Sequence, residues 1–207
     1  MSDIKKIAEH WRSSYQGTDR FINTVVPHFR PYLKHLDGKD VVDVGSNAGL
    51  LSYEISKIAK SCLGVEPLLE YYEQALITNC YTKGNCIFLN ETIEKFSDRN
   101  DVNYNALFAS NVLYHLKDKG VDAIRKILKN CDTALLFSRE NKPKKKNRFD
   151  LYHWKNIQTF LEEEGFKART LIDPDEIIKF RSSHGNINRS AETTMTSSVW
   201  VPVLGVK

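Results

Sequence analysis

Apolar positions along this chain follow two rhythms. Short continuous apolar runs at residues 40–44, 62–65, 86–89, 104–109 and 133–138 are bounded by glycine or polar residues and read as buried strands. Between them, apolar residues recur three and four apart and read as helices. One follows the first run through about Ala59, one follows the second through about Tyr81, and one spans about Lys119 to Asn130. Residues up to about Leu36 also have a helical pattern, with aromatics at Trp11, Tyr15, Phe21 and Phe29. After the fifth run comes a helix from Leu151 to about Glu164, with Gly165 as its stop signal. Residues 166–172 and 197–206 read as closing strands, separated by a polar stretch with at most a short helix at 175–181. Strand and helix in alternation predict an α/β chain built on a mostly parallel sheet with helices on both faces. No internal repeat, low-complexity tract or linker interrupts it, so one domain is expected.

The first strand ends in an unusual way. Val41-Val42-Asp43-Val44 runs directly into Gly45-Ser46-Asn47-Ala48-Gly49, and Leu50, Leu51, Ile55 and Ile58 then follow at helical spacing. A strand, tight turn and helix leave unpaired N–H groups facing one small volume, and glycines let a ligand lie against the backbone. The spacing Asp-x-Gly-x-Asn-x-Gly differs from the Gly-x-Gly-x-x-Gly of nicotinamide enzymes. A second apolar strand, Cys62-Leu63-Gly64-Val65, ends in Glu66-Pro67, with the acid 17 residues beyond Gly49. An acid there is placed to accept hydrogen bonds from ribose hydroxyls. It would equally favour the start of the following helix through the helix dipole.

Together these motifs resemble the class I S-adenosylmethionine (SAM)-dependent methyltransferases over residues 36–207. The resemblance implies a Rossmann-like, seven-stranded, mostly parallel sheet with an antiparallel last strand. Residues 1–35 would be an N-terminal helical extension, a possible lid, and 36–207 the methyltransferase domain. Ligands of open parallel sheets sit beyond the carboxyl ends of the strands. The cofactor positions the resemblance implies are Asp43, Gly45, Ser46, Asn47 and Gly49, then Glu66 and Pro67, then Thr92, Ile93 and Glu94, then Ser110 and Asn111. Gly45 would lie beside the aminoacyl part of SAM, Glu66 would bind ribose, and the loop at 92–94 would border the adenine. Asp43 either stands near the aminoacyl group or caps the turn. Asn47 departs from the small residue usual there, and asparagine accepts left-handed backbone angles well.

Phe108-Ala109-Ser110-Asn111-Val112-Leu113-Tyr114-His115-Leu116 resembles the family's fourth motif, which faces the transferred methyl group. Its Val-Leu-Tyr-His is similar to that of the tRNA wobble-uridine carboxymethyl-transferring enzymes and to the Val-Leu-x-His of many small-molecule methyltransferases. His115 is a candidate general base, or else a packed histidine that fixes the loop; Tyr114 is a second candidate beside the methyl group. Alignment of nucleophile, methyl carbon and sulfur could supply much of the acceleration without a base. Arg12 and Tyr15, in the N-terminal segment, and Arg139, at the fifth strand's end, are candidates for substrate contact. Packing anchors are the plainer reading of the N-terminal aromatics.

Charge changes one part of this picture. The formal charge is +4, and Lys142, Lys144, Lys145, Lys146 and Arg148 place five cations within seven residues. The remainder of the chain is close to neutral. Such a run is a solvated connection or a hook for a phosphate-bearing substrate, with Lys144 and Lys145 as its candidate contacts. Cys62, Cys80, Cys86 and Cys131 form no Cys-x-x-Cys pair and read as free thiols in a reducing compartment, with the cytoplasm as default. No apolar run approaches a membrane span, and no metal-ligand spacing stands out. The expected function is methyl transfer from SAM to an oxygen or nitrogen nucleophile, with a small-molecule acceptor favoured over nucleic acid. The alternatives are an RNA- or tRNA-modifying methyltransferase using residues 142–148, or a SAM-binding subunit without its own catalysis.

Overall fold

The computed structural model describes residues 25–139, 151, 153–173 and 200–207. Helix α1 (Val26–Leu33) and a 3-10 turn (Lys34–Leu36) lead into β1 (Asp40–Val44). Then follow α2 (Leu50–Ser56), β2 (Ser61–Val65), α3 (Leu69–Thr82), β3 (Cys86–Leu89), α4 (Ile93–Ser97) and β4 (Ala106–Ser110). A second 3-10 turn (Leu113–His115), α5 (Asp118–Lys129), β5 (Thr133–Arg139), α6 (Trp154–Glu163), β6 (Lys167–Thr170) and β7 (Trp200–Val206) complete the described elements.

The strands form one seven-stranded sheet in the order β3-β2-β1-β4-β5-β7-β6. The first five are mutually parallel, and β7 inserts antiparallel between β5 and β6. Strand order therefore reverses between β1 and β4, the position at which open α/β sheets form a ligand crevice.

Side chains alternate across the sheet, which divides the core into two layers. On one face Val41, Cys62, Cys86, Phe88, Phe108 and Phe137 pack with α1, α2 and α3. On the other, Val42, Val44, Val65, Leu107 and Leu136 pack with α4, α5 and α6. In α5, Val121, Ile124, Ile127 and Leu128 are buried on one stripe, the helical spacing that its sequence predicts. Helix α1 is seated on the first face by Phe29, whose ring lies 4.1 Å from that of Phe137 and 6.3 Å from that of Phe108. Arg30 Nε and Nη2 donate to Glu54 at 2.9 and 3.1 Å and tie α1 to α2.

Elements depart from the sequence reading mainly at their ends. The first βα helix stops at Ser56 and β4 runs Ala106–Ser110, one or two residues later than expected at both ends. Residues 92–94, expected as loop, open the short helix α4, which Thr92 caps by accepting from the Lys95 N–H at 3.4 Å. The edge strand β3 is only four residues long. Asn79 of α3 covers its first residue: the side-chain amide donates to the Cys86 carbonyl at 2.8 Å and accepts from its N–H at 3.1 Å. A sheet edge shortened and covered in this way offers little backbone for further pairing.

Candidate functional site

The turn after β1 is held in an exacting shape. Gly45, Asn47 and Gly49 all have positive φ, at 72°, 49° and 79°. The N–H groups of Gly45 and Ser46 both donate to the Val65 carbonyl, at 2.9 and 3.2 Å, which anchors the turn's start to β2. Gly49 N–H closes the turn on the Ser46 carbonyl at 3.0 Å. A Cβ on Gly45 would lie 2.7 Å from Val112 Cγ2, and one on Gly49 would lie 2.9 Å from Phe88 Cζ. Both positions thus require glycine on two counts, backbone angle and space.

Glu66, at the end of β2, completes the turn. Its Oε2 accepts from the Asn47 N–H at 2.9 Å and its Oε1 from the Leu68 N–H at 3.0 Å. Each carboxylate oxygen has acceptor capacity left after these bonds. Burial pushes the carboxyl's pKa up, and the two N–H donors pull against that shift. Asn90, beyond β3, donates through Nδ2 to the carbonyls of Glu66 at 2.9 Å and Pro67 at 3.1 Å, so the acid's backbone is held as well.

Beneath the turn lies Asp43, 2 % exposed. Its Oδ2 accepts from the Ser52 hydroxyl at 2.6 Å. The partner seen is therefore a side chain of α2, not the turn that the capping alternative expected. Burial is the main cause that pushes this carboxyl up to about 7; the Ser52 hydrogen bond opposes the shift and the nearby Glu66 charge adds to it.

On the other side of the strand-order reversal, Asn111 follows β4 with φ at 58°. Its side-chain Oδ1 is buried and has no hydrogen-bond partner among the described residues. A buried acceptor left unsatisfied is costly and calls for an explanation. Val112 meets Gly45, so the ends of β1, β2 and β4 converge on one region. Of the remaining expected positions, Ser110 is half-buried, Thr92 is exposed, Ile93 is buried and Glu94 is half-buried. A Cβ on Gly120 in α5 would stand 3.3 Å from Glu94 Oε1, which places that carboxyl against the helix. His115 is exposed at the end of the 3-10 turn, and Tyr114 occupies the backbone position before it. Arg139 is the last residue of β5, paired with Trp200 of β7. Arg12, Tyr15, Lys144 and Lys145 lie outside the described residues.

Sequence reasoning missed three contributors to this region: Ser52 under the turn, Thr78 of α3 against Ala48, and Val112 against Gly45. Among the described residues no group of three or more His, Cys, Asp or Glu is placed to hold a metal ion. No helix among them is long and apolar enough to cross a membrane.

No protein-family model matches the chain. A curated relative, the tRNA U34 carboxymethyltransferase of Ruthia magnifica subsp. Calyptogena magnifica, is 27 % identical over 179 residues. That match covers 78 % of this chain and 54 % of the relative, so the chain spans about half the length of the curated protein it resembles. Among solved structures, the SAM-bound magnesium protoporphyrin IX methyltransferase ChlM of Synechocystis PCC 6803 matches with a TM-score of 0.61 at 15 % identity. The match covers all of this chain (100 %) and 98 % of that one. The methyltransferase domain of bacterial CtHen1 matches with a TM-score of 0.59 at 16 % identity, covering 90 % of this chain and 98 % of the domain. The chain has the class I SAM-dependent methyltransferase fold.

Proposed function

We propose that the protein is a methyltransferase that binds SAM across the carboxyl ends of β1, β2 and β4 and transfers its methyl group to an oxygen or nitrogen nucleophile. One observation carries this reading: the glycine turn after β1 is hydrogen-bonded through the Asn47 N–H to the Glu66 carboxylate at the end of β2. That contact holds an acid with spare acceptor capacity beside a backbone stripped of side chains, which fits a nucleoside with two vicinal hydroxyls. The buried, unpartnered Asn111 Oδ1 fits the same group, because an ammonium on the ligand would supply the missing donor. When bound, SAM supplies an electrophilic methyl on a positively charged sulfur.

The chain's residues have separable tasks in this scheme. Glu66 accepts the ribose hydroxyls, Gly45 and Gly49 keep the turn open to close approach, and Asn111 accepts from the ligand's amino group. Asp43 supplies negative potential under the turn. His115, in the turn after β4, takes the nucleophile's proton where the acceptor needs one removed. Calorimetry with S-adenosylhomocysteine (SAH) tests the scheme. Micromolar binding is expected, weakened about 10- to 100-fold by Glu66→Ala, the range for lost hydrogen bonds to a charged group. Absence of binding to the native protein would overturn it, and binding without methyl transfer to any acceptor would leave a SAM-binding subunit in its place.

The sequence alone favours a small-molecule acceptor. A second reading, RNA, is supported by the curated relative's acceptor, named as tRNA U34, together with the cationic run at 142–148. Phosphate contacts would make apparent affinity for RNA fall with salt by about 0.7–0.9 log units per log unit of salt for each contact. Replacing Lys144, Lys145 and Lys146 together with Ser should then lower activity on tRNA and flatten the salt dependence, with SAH binding intact. Unchanged salt dependence would return the choice to a small molecule.

A further inference from the structure

Helix α3 reaches the glycine turn at a point that neither Glu66 nor Asp43 touches. Thr78, fully buried at 0 % exposure, donates its hydroxyl to the carbonyl of Ala48, the residue between Asn47 and Gly49. The same oxygen lies 2.9 Å from the Gln74 carbonyl one helical turn earlier. A hydroxyl has one proton, so it can bond the turn fully only by giving up its own helix. Three residues earlier on the same face, Ala75 sits so close that a Cβ on Gly49 would meet its Cβ at 3.0 Å. Ala48 is itself buried, so no solvent replaces the hydroxyl on that carbonyl.

We infer that Thr78 is a positioning residue for the SAM-binding turn. Glu66 pins the turn's middle from β2, and Thr78 fixes the orientation of the next peptide from α3. The Ala48 carbonyl and the Gly49 N–H belong to one planar peptide unit, so holding the carbonyl also sets the direction of that N–H. Gly49 N–H is the donor that closes the turn on Ser46. Losing the Thr78 hydroxyl leaves a buried carbonyl without its donor, and the turn can recover one only by moving the Asn47–Gly49 backbone off the geometry that Glu66 requires. This inference rests on the proposed cofactor reading for its consequence, and on the turn's own geometry for its cause.

Two substitutions separate the hydroxyl from the methyl group. Thr78→Val keeps the side chain's shape and removes the donor; Thr78→Ser keeps the donor and removes the buried methyl. Both are expected to lower the melting temperature, so stability alone does not discriminate. Below both transitions, Thr78→Val should weaken SAH binding about tenfold, and Thr78→Ser should stay within about twofold of the native protein. In the ligand-free protein, amide hydrogen exchange at Asn47 and Gly49 should quicken in Thr78→Val and not in Thr78→Ser, while the β1 and β4 amides hold. Native SAH affinity and native exchange in Thr78→Val would overturn the positioning role. If the native protein binds no SAH, the cofactor reading fails, and the exchange rates alone then decide whether Thr78 governs the turn.

Discussion

Replacing Asp43 with Asn should remove a loss of stability that the native protein undergoes between about pH 4 and about pH 7. The carboxyl is buried under the glycine turn and is pushed up to about 7, against an ordinary value of 3.8. Between those two values the folded protein holds a proton that the unfolded chain has already released. The unfolded state therefore gains relative stability as pH rises, and the native protein loses stability from about pH 4 to about pH 7 and then levels off. At 1.36 kcal/mol for each pH unit, the full loss has a ceiling of about 4 kcal/mol. Confined to the interval from pH 5 to pH 8 it amounts to about 2.5 kcal/mol. Asparagine does not titrate, yet its side-chain oxygen can still accept from Ser52, whose hydroxyl lies 2.6 Å from the native carboxylate. The hydrogen bond survives the exchange; the amide adds two buried donors, but their cost does not change with pH, so the pH dependence reports the carboxyl alone.

The assay is urea unfolding of native and Asp43→Asn proteins at pH 5, 6, 7 and 8, followed by tryptophan fluorescence. Other titrating groups are common to both proteins, so the difference between the two unfolding free energies largely cancels them. That difference should move by about 2–3 kcal/mol in favour of the variant between pH 5 and pH 8. Parallel stability curves across the range would refute the reasoning, because they would mean that Asp43 ionises in the fold as it does in water. On the proposed reading the variant should also bind SAM more weakly above about pH 7, where the native carboxyl is ionised.

Gly49→Ala combines φ of 79° with a Cβ 2.9 Å from Phe88 Cζ and 3.0 Å from Ala75 Cβ. It should cost about 2–4 kcal/mol by thermal or urea unfolding, and a cost below about 1 kcal/mol would show that the turn can relax away from α3. His115→Gln should lower kcat about 100-fold without changing SAH affinity if the acceptor gives up a proton in the rate-limiting step. An unchanged kcat on the identified acceptor would assign the acceleration to alignment of the reacting atoms.

The parts of this fold that were readable in the sequence are those written in consecutive residues. Val41–Val44 running into two glycines four apart can form little besides a strand and a tight turn, and both glycines do take positive φ. Glu66 was legible because its strand is short and its position after Gly45–Gly49 is set by one helix. Two of the three contributors that escaped notice act across helix surfaces. Ser52 and Thr78 are unremarkable polar residues in helical stretches, where their ordinary place is the solvent side or a bond to their own helix. Their role depends on how α2 and α3 rotate against the sheet, and nothing in the local pattern encodes that rotation. Helix α4 was missed for a related reason: five residues with Ile93 and Phe96 as the buried pair are too few to establish a period. Asn79 covering the β3 edge is likewise a contact between elements, invisible until the strand and helix are placed side by side.

Asp43 and Glu66 together bear on the proposal that the ligand is a cation. Each has its carboxyl pushed up by burial, and the charge on Glu66 adds to the shift at Asp43. A buried acid whose ionisation a neighbouring charge makes still more costly is a poor choice for stability alone. A positive ligand at the strand ends reverses the balance: it favours both carboxylates at once and fills the need of the unpartnered Asn111 oxygen for a donor. A neutral nucleoside would satisfy Glu66 through its hydroxyls but leave Asp43 as costly as before. On the proposed reading, the sulfonium and ammonium of SAM would supply that charge.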